Sequence, residues 1–172
     1  MDRDRALLRH FLAAIAYRTQ KAVRGAPDGY PNFSVGHQVR TPAEIVRHMT
    51  NLMGFVATLL QGDSHPAKPG PLPDFDAEVA RFHEVLQSVG DLLAGNARLR
   101  EISTTQLLQG PLSDVMTHVG QLALLRRLAD APIPPEDFIY ADIRPERLGT
   151  QQAPPVRPDV AWPEAIAKPT AN

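Results

Sequence analysis

Thr41-Pro42-Ala43-Glu44, followed by Ile45, Met49, Leu52, Val56 and Leu59, is the stretch from which the rest of the chain can be read. Thr41 with Glu44 three residues later is a capping box. The hydroxyl accepts from the Glu44 backbone N–H, and the carboxylate reaches back to the Thr41 N–H. Pro42 suits the first helical position, where its missing N–H would have had no helical partner. The apolar residues then recur at spacings of four and three, which puts them on one helix face. Gly62 supplies the stop. The pattern predicts a helix over 41–61.

Similar stripes lie on either side. Leu8, Phe11, Leu12, Ile15 and Thr19 predict a first helix over 2–24, ended by Gly25, Pro27 and Gly29. Val79, Phe82, Leu86, Val89 and Leu93 predict a third over 74–94, ended by Gly95-Asn96. Leu112, Val115, Val119 and Leu122 predict a fourth over 111–129, with Pro111 at its first position. A short extra turn fits within 98–109. Of 17 prolines, 9 fall after Asp130, so the last 42 residues read as irregular. Phe138, Ile139, Tyr140, Val160 and Trp162 make that tail too apolar to be wholly disordered, and 137–148 is expected to pack back on the bundle or on a partner subunit. The expected architecture is all-α: an up-down-up-down four-helix bundle over 1–130, with near-antiparallel packing, and a Pro-rich tail over 131–172.

Composition narrows function. The chain has 172 residues and no cysteine, which excludes disulfides, thiolate metal sites and cysteine nucleophiles. A net charge of −1 and no basic aromatic patch argue against nucleic acid as a partner. The longest nearly apolar run, 52–60, falls far short of the roughly 20 residues of a membrane span. The apolar run 11–16 ends at Tyr17 and Arg18 without a cleavage site, so no signal peptide is read and the expected location is the cytoplasm. No Glu-x-x-His occurs, against a ferritin-like di-iron centre, and no Gly-x-Ser-x-Gly, against a serine hydrolase.

Of six histidines, His48 and His118 interrupt apolar helical faces. Asp114 lies one turn before His118 on the same face. If helices two and four run parallel, counting 1.5 Å per residue from their starts places all three at roughly 6–12 Å depth. Two imidazoles and one carboxylate suit a divalent ion with open positions, zinc, non-haem iron or nickel; the alternative is satisfied core histidines, with Asp114 either paired with His118 or a first-turn acid favoured by the helix dipole. Gln121 is either polar filler or the partner that orients an imidazole. Gly120 reads as a close helix approach, Arg126-Arg127 as a solvated helix end in preference to a substrate clamp, and His83 as a residue at the rim of its face. Tyr30, Phe33 and His37, in the first loop, are candidates for lining a substrate mouth.

Thr117-His118-Val119-Gly120-Gln121-Leu122-Ala123-Leu124-Leu125-Arg126-Arg127 resembles the last-helix motif of the DinB-like superfamily, and Arg47-His48-Met49 resembles its helix-two element. Asp114 departs from the pattern, since many members carry histidine there. The resemblance implies a four-helix bundle over about 2–132 and a metal held by His48, Asp114 and His118. It also implies kinship with bacillithiol- or mycothiol-dependent transferases and maleylpyruvate isomerases, and a homodimer. The function expected on that basis is transfer of a metal-activated small-molecule thiol, or of water, to a small electrophilic substrate. The competing expectation is a non-catalytic, stress-associated binding protein with a vestigial metal site.

Overall fold

The computed structural model describes residues 2–62, 68–95 and 102–157. His65, Val160 and Trp162 lie outside them. Four long helices form the bundle: α1 (Arg3–Val23), α2 (Pro42–Gln61), α3 (Phe75–Ala94) and α5 (Ser113–Leu128), with the short α4 (Thr104–Leu107) before the last. No strand occurs among the described residues. None of their helices is long and apolar enough to cross a membrane.

The caps follow local chemistry. Thr41 and Glu44 close their box in both directions, and Gly62 ends α2 at φ 78°, in the left-handed region that glycine enters freely. The Asp74 side chain accepts from Ala77 N–H at the start of α3. The fourth long helix begins differently from the sequence expectation. Ser103 and Gln106 form a capping box that starts α4, and a π-helical turn, Leu108–Leu112, joins α4 to α5. Pro111 sits inside that turn, beside non-helical Gly110, instead of opening the helix.

The predicted stripes point inward. Val79, Phe82, Leu86, Val89 and Leu93 of α3 and Leu112, Val115, Val119 and Leu122 near α5 are all buried. The order of directions, however, is up-down-down-up. Arg5 near the start of α1 donates to Gly95 O beyond α3 (3.2 Å), and Gln20 near the end of α1 meets His83 (3.2 Å), so α1 and α3 are antiparallel. Thr104 bonds Asp4 at one end of the bundle, and Arg126 reaches Gly25 O at the other, so α1 and α5 are parallel. His48 meets His118 while Leu52 and Phe55, further along α2, share a groove with Gly110 and Ser113, further back, so α2 and α5 are antiparallel. α2 and α3 therefore run the same way. The Pro/Gly-containing connection 63–73 is what allows this: 11 residues reach about 36 Å, enough for a 20-residue helix of about 30 Å. Around the bundle the contacts run α1–α3–α2–α5–α1, leaving α1 and α2 on a diagonal.

The tail packs back as far as residue 157 is described. Leu148 is 1% exposed and seats its side chain where a Cβ on Gly90 would stand. His83 is buried there, not at a rim. Its Nδ1–H donates to Leu148 O (2.6 Å), and the Gln20 amide donates to its Nε2 (3.2 Å). Burial pushes the His83 pKa below its ordinary value, against the smaller opposite pull of the Leu148 carbonyl, which fits the neutral tautomer. Glu136 accepts from Tyr17 (2.6 Å) and pairs with Lys21 (3.2 Å). Leu148→Ala should leave an unfilled space on α3 and destabilise the fold by about 2–5 kcal/mol, measured by chemical denaturation.

Arg126 is buried as well, which corrects the solvated-end reading. Its guanidinium donates to the carbonyls of Ala22, Arg24, Gly25 and Ala131, neutralising the negative end of α1. Gly120 is exposed with open space around it, so no close helix approach requires it.

Candidate metal centre

The rotation of α2 decides where His48 points. Ile45 and Met49 are buried, and Arg47 turns to α3, where Glu78 accepts from its Nε (2.9 Å) and Nη2 (2.7 Å). His48, the next residue, faces α5. On α5, buried Val115, Val119 and Leu122 fix the rotation and carry His118 inward, 6% exposed.

His48, Asp114 and His118 come together. One ligand atom from each lies within 4.8 Å of the other two. The imidazole centroids are 4.8 Å apart at an interplanar angle of 80°. His118 Nε2 stands 3.5 Å from Asp114 Oδ1. A tetrahedral ion with bonds near 2.1 Å has ligand–ligand edges of about 3.4 Å, so this pair is already spaced for one, and His48 needs to close in by at most about 1.4 Å.

The protonation states suit a cation. His118 Nδ1–H donates to Gln121 Oε1 (2.8 Å), which leaves Nε2, the atom facing Asp114, with its lone pair free. Burial lowers the His48 pKa below its ordinary value. The charges of Arg40 and Lys68 and the neighbouring His118 add to this, and Asp114 opposes it. His48 is therefore neutral at pH 7. The Asp114 side chain is 48% exposed against 8% for His118, so one side of the cluster faces solvent. Two imidazoles, one carboxylate and an open side fit a divalent ion with exchangeable positions.

Gln121→Ala should free the His118 ring and lower metal affinity by about 10–100-fold, read by isothermal titration, with helicity unchanged. The depth reasoning that brought the three residues together assumed parallel helices and does not hold. They meet across antiparallel helices, His48 six residues after the start of α2 and His118 ten residues before the end of α5.

Of the proposed mouth residues, Tyr30 is buried and lines no opening. Tyr30 is 1% exposed; its hydroxyl donates to Leu122 O (2.7 Å), and it anchors the first loop in the core. Phe33 packs against the core, and His37 is exposed at a positive φ. The groove beside the cluster is formed instead by Leu52 and Phe55 of α2 and by Pro111, Asp114 and Thr117. Sequence reasoning missed this groove, yet Ser103-x-x-Gln106 signalled the earlier helix start that shapes it. Arg40 and Lys68 carried no such signal, because they belong to no helical stripe. Compared with protein-family models, with curated proteins and with solved structures, the chain matches none.

Proposed function

We propose that His48, Asp114 and His118 hold one divalent ion, zinc, nickel or iron, and that the chain is a metal-dependent enzyme of thiol-transferase type. The observation that carries the reading is the convergence of the three donors, with the His118 Nε2 lone pair set free by Gln121. The resemblance of Thr117–Arg127 and Arg47-His48-Met49 to the DinB-like superfamily supports it. An ion at this place supplies Lewis acidity, which lowers the pKa of a small-molecule thiol, or of water, presented at its open side. The chain's own part is to orient the His118 ring through Gln121, to contribute one carboxylate charge, and to leave the Asp114 side open. In the reaction the thiol loses its proton to solvent and sulfur bonds to an electrophilic carbon. The leaving group departs with the electron pair of the bond it breaks. Because the chain has no cysteine, the thiol is a separate small molecule. Aspartate in place of a third histidine gives a harder, more anionic donor set.

Elemental analysis of protein purified without an affinity tag or chelator tests the metal reading. One equivalent of a divalent ion is expected, and protein that neither carries nor takes up a metal would overturn it. With the ion loaded, consumption of a test electrophile only when a small thiol is added separates the transferase from a metal-binding protein without catalysis.

A further inference from the structure

The groove next to Asp114 has a chemistry of its own. It measures about 520 Å3 and runs between α2 and the π-helical turn. Leu52 and Phe55 lie four and seven residues after His48, on the same face of α2, and Pro111 stands opposite. Two of its hydroxyls are spent on backbone: Ser113 donates to Leu108 O (2.6 Å) and Thr117 to Ser113 O (3.0 Å). Among the described residues that line it, Asp114 is the one ionisable side chain, and Asp114 belongs to the metal cluster. Arg40 and Lys68 line no part of it.

We infer that this groove seats the substrate, a neutral electrophile whose apolar part, a single ring or short aliphatic chain, lies on Leu52, Phe55 and Pro111 while its reacting carbon faces Asp114's side of the cluster. The inference rests on the metal reading above and adds the class of molecule. An anionic substrate would find no basic side chain in the groove, a cationic one would meet only the carboxylate already committed to the cluster, and either would lose hydration on the apolar walls. A neutral one gains the burial of apolar surface, the usual source of affinity in a site with few polar groups. Continuity decides the orientation, because the carboxylate that ends the groove is also a ligand. Whatever fills the groove therefore abuts the open side of the ion.

The probe is a thiol whose sulfur anchors on the ion and whose appended group reports the groove. Protein loaded with cobalt(II) is titrated with phenylmethanethiol and with mercaptoacetate, and binding is read from the cobalt absorption bands. The native chain should favour phenylmethanethiol by about tenfold or more, as ring burial requires. Phe55→Arg should erase that preference and tighten mercaptoacetate. Phe55→Ala should weaken the ring thiol alone. Cobalt affinity, measured on each variant, shows that the fold and the cluster survive. Normal cobalt binding with no preference in the native chain, or with a preference that neither substitution changes, overturns the inference and leaves the metal site standing. Failure of the native chain to bind cobalt overturns both.

Discussion

His118→Ala should reduce divalent-metal affinity by about a thousandfold or more, beyond the 10–100-fold that loss of an outer hydrogen-bond partner costs. The substitution removes the one donor that is both buried and oriented, since Gln121 fixes its ring and Asp114 stands 3.5 Å from its Nε2. His48 and Asp114 would be left as a two-point site with solvent-exposed aspartate, a poor match for zinc, nickel or iron. The helices should survive, because Val115, Val119 and Leu122 keep the core stripe of α5 intact. Titration calorimetry with circular dichroism separates the outcomes. Unchanged affinity would mean that the three residues do not form one site.

Glu78→Ala should cost about 3–5 kcal/mol of stability, the range for breaking a buried ion pair from one side. Glu78 is 1% exposed and gathers Arg47, Arg81 and the Leu72 N–H around one carboxylate. Its loss strands two guanidinium groups between α2 and α3. Burial alone would raise the Glu78 pKa, but the Leu72 N–H, Arg47 and Arg81 together outweigh it and hold the value below the ordinary one. The sign of the pH effect follows. A depressed carboxylate contributes its full stability above its unfolded pKa, about 4.3, and loses it as pH falls through the folded value. Denaturation curves between pH 7 and 3 should therefore show a shallower acid decline in the variant than in the native chain. Parallel declines would place the acid sensitivity elsewhere.

The helices were legible because caps and stripes are local. Thr41-Pro42-Ala43-Glu44 carries its own instruction, and the five-residue stripe of α3 needs only its own spacing. Direction was not legible, because the connection 63–73 is long enough for a hairpin or a crossover and nothing in its residues chooses. Pro111 misled for a related reason: proline suits a helix start, but Ser103 and Gln106 had already begun one. His83 and Arg126 were misplaced because their partners are distant in sequence. Leu148 O lies 65 residues from His83, and Ala22 O lies 104 from Arg126. The triad was legible for the opposite reason. Polar residues interrupting an apolar face stand out without knowledge of the fold, and the three residues still meet although the helix direction differs from the expected one. The groove was not legible, since Leu52 and Phe55 read as ordinary members of a stripe until the π-helical turn is placed across from them.

The diagonal placement of α1 and α2 bears on how the chain folds during synthesis. Consecutive helices that pack together can collapse as a hairpin as soon as both are made. Here α1 leaves the ribosome with no partner in α2 and stays unpaired until α3 is complete, so its apolar face, Leu8, Leu12 and Ile15, is exposed to other chains in the meantime. The first pair able to form is α2 with α3, tied by Arg47 and Glu78. Across nascent chains of increasing length, α2 should therefore become protected from proteolysis only once α3 has emerged, and the shorter chains should recruit chaperones through α1.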